Sequence, residues 1–263
     1  MSLEYRVEGA TAWLRLNRPE ALNALDRAML EALADAVARA QGDDGVRVVV
    51  LTGTGRAFCA GGDIKALLHD VAAGSSAGGA GEEDYIDVVA RSFRAVRALR
   101  KPLIGCVNGV AVGGGLELLL CCDLVVAAAS AHIGDGHANF GIFPGGGSAA
   151  LLPRRLPLNV AKRLLFSGEL LPAAQWQLWG IVNQVVEPDQ LEAATQALAG
   201  SLARKSPLLL ERMKRVADGS ADKSLADALR EELFELRAHM RSHDMREGTT
   251  AFVEKRDPSY TGR

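Results

Sequence analysis

Cysteine is scarce in this chain: four in 263 residues, none in a C-x-x-C spacing, and two of them, Cys121 and Cys122, adjacent inside an apolar run. That excludes a disulfide framework and offers no zinc ligand set, so the thiols are expected to be reduced and mostly buried. An excess of one charge is also lacking. Thirty Lys and Arg stand against 32 Asp and Glu, a net −2, and without a basic field nucleic acid is set aside as a principal partner. Long uncharged apolar runs are missing too. The most hydrophobic stretch, Val110 to Ile133, is broken by Gly113-Gly114-Gly115, Glu117 and Asp123, whereas a bilayer span needs about 20 residues nearly free of charge. No membrane association is expected. The first residues, Met1 to Glu8, carry charges where a signal peptide needs an apolar core, and a cytoplasmic location is expected. Neither GxxxxGK[ST] nor GxGxxG occurs in the glycine-rich segments, which leaves nucleotide hydrolysis and a dinucleotide cofactor without support.

What is present is the material of a sizeable core: 48% hydrophobic residues, 24% charged and 28 glycines. The first 16 residues alternate and predict two short strands turning at Glu8-Gly9. Apolar periodicity after Asn17-Arg18-Pro19-Glu20 predicts a helix over about residues 22 to 41. Val46 to Gly53 reads as a strand buried on both faces, and Pro102 to Gly109 as another, with a helix over 84 to 99 between them. The small-residue tract within 71 to 83 is expected to form a mobile loop. Beyond Pro153 the pattern is helical. The expected organisation is an α/β core over 1 to 195 and a helical portion over 196 to 263, whose surplus apolar positions suit a partner subunit.

Two glycine-rich loops each follow a strand-like run: Cys59-Ala60-Gly61-Gly62-Asp63-Ile64 and Val112-Gly113-Gly114-Gly115-Leu116-Glu117. At such junctions the backbone can approach a ligand and present free N–H groups to it, which suits an oxyanion; the glycines could equally serve tight turns alone. Glu117 sits among Leu116, Leu118, Leu119 and Leu120. A carboxylate in that setting is either catalytic or half of a buried ion pair.

These segments, taken with Leu16 to Leu25, Ala57 to Ile64, Asn108 to Glu117, Cys122-Asp123-Leu124 and Gly141-Ile142-Phe143-Pro144-Gly145-Gly146-Gly147, resemble the enoyl-CoA hydratase/isomerase (crotonase) family, in order over nearly the whole chain. The resemblance implies an α/β fold, a crotonase-like spiral of β-β-α units with a helical C-terminal trimerisation portion, assembled as a homotrimer or a dimer of trimers. It implies a coenzyme A thioester substrate, coenzyme A being part of the substrate and no separate cofactor or metal being needed. The N–H groups of Gly62 and Gly114 would form the oxyanion hole. Ala21, Leu22, Ala60, Asp63 and Ile64 would lie along the pantetheine and adenine portions, Pro144 against the CoA substrate, and Lys255 within reach of a CoA phosphate of a neighbouring subunit; Phe140, Phe143 and the 72 to 83 loop are expected to border the acyl end.

One departure limits the implication. Family hydratases typically carry two glutamates; Glu117 matches the first, while His137 occupies the position of the second, with Asp135 two residues away to orient its ring. The expected activity is hydration of a 2-enoyl-CoA to a 3-hydroxyacyl-CoA, with Glu117 and His137 as the catalytic pair. The alternatives are isomerisation or C–C bond hydrolysis using His137, a tolerated loop histidine beside a lone working Glu117, and a non-catalytic acyl-CoA binder.

Overall fold

Paired strands of unequal length set the architecture. The computed structural model describes residues 2–72 and 83–263; the glycine- and serine-rich tract over 73–81, expected to be mobile, lies outside the described residues. The chain begins with an antiparallel hairpin, β1 (Leu3–Glu8) and β2 (Thr11–Leu16), in the register Leu3↔Leu16 to Glu8↔Thr11. Gly9, at φ 58°, supplies the left-handed backbone that so tight a turn requires.

Three repeats of strand, short strand and helix follow. The first is β3 (Val48–Gly53), β4 (Ala57–Cys59) and the helices α2 (Ile64–Ala72) and α3 (Tyr85–Arg97). The second is β5 (Leu103–Val107), β6 (Val110–Val112) and α4 (Gly114–Cys121). The third is β7 (Leu124–Ala128), β8 (His132–Gly134) and α5 (Ser148–Arg155), followed by α6 (Leu158–Ser167) and α7 (Ala173–Leu178). The first strand of each repeat joins one sheet and the second joins another, so the chain climbs as a spiral. The larger sheet has the order β1-β2-β3-β5-β7-β10 and the smaller β4-β6-β8-β9, where β9 is Leu170–Pro172 and β10 Gln184–Val186. Every residue of β3 and β5 is buried, as the unbroken runs of Val, Leu and Ile suggested.

Helix α1 (Arg27–Gly42) packs beside α3 and against the opening hairpin, and α8 (Leu191–Ala203) lies on β3, β5 and β7. Two expectations need correction here. The helix expected from residue 22 begins at Arg27, because Leu22 and Asn23 adopt φ of 52° and 58° and Asp26 caps the helix by accepting from the N–H of Met29 at 2.8 Å. Asn23 is fully buried: its Nδ2 donates to Thr54 O at 3.0 Å and to Ala57 O at 2.8 Å, and its Oδ1 accepts from Arg18 N. Its side chain thus splices the segment after β2 onto the β3–β4 connection. The boundary expected at 195/196 falls inside α8, whose Leu191, Thr195 and Ala199 are buried. The purely helical part is α9 (Pro207–Ser220), α10 (Leu225–His239) and α11 (His243–Glu254), on which Met213, Leu229, Leu233, Phe234 and Phe252 stand exposed.

Candidate active site

The site forms where the ends of β4, β6 and β8 meet the N-terminal ends of α2 and α4. The two glycine loops touch backbone to backbone there: a Cβ placed on Gly114 would lie 3.4 Å from both Gly61 Cα and Gly62 N, and one on Gly61 would lie 2.9 Å from Val112 O. At Gly61, whose φ is 97°, no side chain fits. Leu25 bridges this strand end in parallel fashion, its N–H donating to Gly61 O at 2.8 Å and its O accepting from Asp63 N at 3.0 Å. Because backbone groups alternate along an extended strand, the N–H of Gly62 between them faces away from Leu25. Gly114 is the first residue of α4, where helical N–H groups have no intrahelical acceptor. Asp63 caps α2, its Oδ1 accepting from Lys65 N at 3.1 Å, while Arg18 donates to its Oδ2 at 3.3 Å and ties it to Asp26 at 3.0 Å.

Glu117 is 2% exposed, and its carboxylate is held unsymmetrically. Oε1 accepts three backbone N–H bonds, from Gly146 at 2.8 Å, Gly147 at 2.7 Å and Ser148 at 3.0 Å, at the start of α5. Helix N-terminal amides carry partial positive charge, so they compensate a buried anion without a cation. The alternative of a buried ion pair with Lys or Arg is therefore not what the described residues form. Oε2 faces the cavity, 4.0 Å from His137 Nε2. Gly146 must be glycine: a Cβ there would sit 2.6 Å from Glu117 Oε2 and 2.8 Å from the Phe93 ring.

His137 opens a short 3-10 turn, His137–Phe140. Its Nδ1 lies 3.0 Å from Oδ2 of Asp135, itself 1% exposed, and its backbone N–H donates to Asp135 Oδ1 at 3.3 Å. A carboxylate can only accept, so Nδ1 is the donor and Nε2 is left facing Glu117. Burial draws the imidazole pKa down, but the hydrogen bond and charge of Asp135, with the charge of Glu117 beyond, outweigh it and raise the group above its ordinary 6.5. The ring rests on the second glycine loop, with Nε2 3.6 Å from where a Gly113 Cβ would be.

The cavity joins these groups to an apolar wall of Leu67, Ile86, Val89, Phe93, Ile142 and Phe143. Of the residues expected in the site, Gly62, Gly114, Glu117, His137, Ala60, Asp63, Ile64 and Phe140 line it together. Ala21, Leu22, Pro144 and Lys255 do not. Leu22 touches the first loop from behind, its O accepting from Ala60 N at 3.0 Å; Pro144 sits between the lining residues Phe143 and Gly145; Lys255 is exposed at the end of α11. Tyr85 was missed: its hydroxyl donates to Leu25 O at 2.6 Å, and burial pushes its pKa up to about 12. Tyr85, Val89 and Phe93 share one face of α3 at a spacing of four, the one sequence signal that could have placed them here. Among the described residues no cluster of three or more His, Cys, Asp and Glu could hold a metal, and no helix is long and apolar enough to cross a membrane.

Known proteins resemble this chain over nearly its whole length. The 2,3-dehydroadipyl-CoA hydratase of Escherichia coli strain K12 is 38% identical over 254 residues, covering 95% of this chain and 94% of that protein. The 1,2-epoxyphenylacetyl-CoA isomerase of the same strain is 36% identical over 257 residues, covering 98% and 97%. The crystal structure of an enoyl-CoA hydratase subunit from Geobacillus kaustophilus superposes with a TM-score of 0.92 at 36% identity, covering 100% of this chain and 99% of that one. Residues 6–263 match the family described as enoyl-CoA hydratase/isomerase, and the chain belongs to that family.

Proposed function

We propose that the protein adds water to a 2-enoyl-CoA thioester, giving a 3-hydroxyacyl-CoA. The observation that carries this reading is the unsymmetrical grip on Glu117: one oxygen saturated by three amides, the other turned to the cavity 4.0 Å from His137 Nε2. In this scheme the thioester oxygen accepts from the N–H groups of Gly62 and Gly114, each such donor being worth about 2.7–4 kcal/mol in the barrier. Glu117 Oε2 takes a proton from water as the water oxygen bonds to C3, and the double-bond electrons pass through C2 onto the thioester oxygen. His137, protonated and oriented by Asp135, gives its Nε2 proton to C2 as the enolate collapses. The proton held by Glu117 then returns to His137, so both groups start the next cycle unchanged. Coenzyme A belongs to the substrate, and no further cofactor enters.

The wall chemistry indicates the acyl group. The lining residues among those described include no Lys or Arg, and residues 69–82 contain neither; with Glu117 and Asp135 nearby, an acyl chain ending in a carboxylate would meet anions and no cation other than the His137 imidazolium, which Asp135 already pairs. An alkyl or aryl 2-enoyl-CoA is the expected substrate, unlike the substrate named for the E. coli dehydroadipyl-CoA relative. The exposed apolar face of α9 to α11 is assigned to a homotrimer, alone or paired as a dimer of trimers, with light scattering as its test.

The test is the loss of enoyl-thioester absorbance with crotonyl-CoA, a longer alkyl 2-enoyl-CoA and an ω-carboxylated one, with Glu117→Gln as control. Hydration of the alkyl substrates, abolished by the substitution, supports the proposal. Tight binding without turnover overturns it in favour of a binder. A second reading is favoured by the Asp135–His137 pair, which could instead direct water at a carbonyl carbon; cleavage of a 3-oxoacyl chain without hydration would select it.

A further inference from the structure

The amides that hold Glu117 are themselves held. Gly146 C=O and Gly147 N–H belong to one peptide group. The N–H donates to Glu117 Oε1 at 2.7 Å, the shortest of its three bonds. The C=O accepts at 2.9 Å from Nη1 of Arg97, in the last turn of α3. Arg97 makes no contact with Glu117 and does not line the cavity; its other polar contact in this region is with Cys121 Sγ at 3.8 Å, on α4.

A guanidinium donating to a carbonyl makes a charge-assisted bond, and it polarises that peptide so that its N–H becomes a stronger donor. The positive charge is thereby passed one peptide forward to the carboxylate while remaining out of the reaction cavity. Geometry is constrained by the same bond. Gly147 adopts φ 129°, a conformation that side-chain-bearing residues rarely adopt, and Gly146 is squeezed between Glu117 and Phe93. A turn of three consecutive glycines, Gly145 to Gly147, has little local preference for that shape, and Arg97 supplies an anchor from a separate helix.

We propose that Arg97 is a positioning residue for Glu117, acting through the Gly146–Gly147 peptide group. The inference rests on the reading of Glu117 as the base that activates water. Arg97 sets the direction of Oε2 toward the substrate by fixing the turn that grips Oε1.

The experiment compares Arg97→Gln, Arg97→Met and Arg97→Lys with the parent in two measurements. In steady-state hydration of an alkyl 2-enoyl-CoA, loss of one charge-assisted bond acting on the base should lower kcat roughly tenfold with KM within about twofold, and Lys should recover most of it. The second measurement needs no turnover: the infrared carboxylate band of Glu117, isolated as the difference between each protein and the same protein carrying Glu117→Gln. The band should move in Arg97→Gln and Arg97→Met and return in Arg97→Lys. An unmoved band in folded variants overturns the proposal, as does a fall in kcat that Lys fails to recover. A parent that hydrates nothing removes the hydratase reading alone, since the infrared comparison still decides whether Arg97 acts on Glu117.

Discussion

Two buried carboxylates in this molecule are compensated mainly by neutral donors, and they differ in one respect. Asp244, 1% exposed near the start of α11, accepts on both oxygens: Thr261 N at 2.9 Å and Gly262 N at 3.2 Å on Oδ1, Ser206 Oγ at 2.5 Å and Gly262 N at 3.1 Å on Oδ2. Glu117 is satisfied on Oε1 alone. Asp244 has spent its lone pairs on the segment it pins to α11 and α9, whereas Glu117 keeps an oxygen in reserve beside a polarised imidazole. Burial and amide count alone would not separate a carboxylate that builds structure from the one proposed to move protons; the unspent oxygen does.

The sharpest break in this comparison crosses the two residues. Glu117→Gln should lower kcat by about 10²-fold or more while leaving the denaturation midpoint close to the parent's, because a carboxamide oxygen can still accept from the three amides. A stability loss as large as the activity loss would erase the distinction. Next in size, His137→Ala should lower kcat by about 10²-fold, with Asp135→Asn falling less, since the ring remains but loses its fixed tautomer. Hydration nearly unchanged in His137→Ala would remove the imidazole from the mechanism.

Asp244→Ala should do the reverse: it orphans the Ser206 hydroxyl and the Thr261 and Gly262 amides and should cost about 1–3 kcal/mol in urea denaturation, with kcat preserved at temperatures where the protein is folded. Unaltered stability would show that water satisfies those groups as well as the carboxylate does.

The smallest effect is one of pH, and its sign differs between the regions. The His137 pKa is raised from 6.5 in the folded state, so its contribution to stability is full below that value and is lost as pH climbs through the folded one. The Asp244 pKa is lowered from 3.8: burial pushes it up, but the hydrogen bonds from Ser206, Thr261 and Gly262 outweigh burial. Its contribution is present above 3.8 and fades as pH falls through the folded value. Stability differences measured against His137→Gln and Asp244→Asn across these windows should slope in opposite directions; parallel slopes would mean the two environments are not distinct.

Legibility from sequence followed the range of the interactions. The hairpin β1–β2 and the buried strands β3 and β5 declared themselves, because alternation and β-branched runs are local signals. The smaller sheet did not: β4, β6 and β8 are three residues each, too short for any period, and exist by pairing with one another. The start of α1 was misplaced because Leu22 and Asn23 keep helix-compatible chemistry in a left-handed backbone held by tertiary bonds to Thr54 and Ala57. In the site, Glu117, His137 and the glycine loops came from motif spacing together with the family resemblance. Arg97 and the Gly146–Ser148 amides were invisible, and Tyr85 showed only through its four-residue spacing with Val89 and Phe93, since what matters is which backbone atom each side chain or N–H meets across the fold.

The stripe on α3 has a bearing on how this enzyme could be redesigned. Tyr85, Val89, Phe93 and Arg97 follow one another at every fourth residue, so in the proposed mechanism one helix carries both the wall that measures the acyl group and the anchor behind the base. Enlarging the pocket from this side trades selectivity against rate within a single element. Ile142 and Phe143 line the cavity too, outside any helix and with Phe143 83% exposed. Variation there can retune the accepted substrates while the proton-transfer apparatus stays in register, which makes that loop the place for a library to begin.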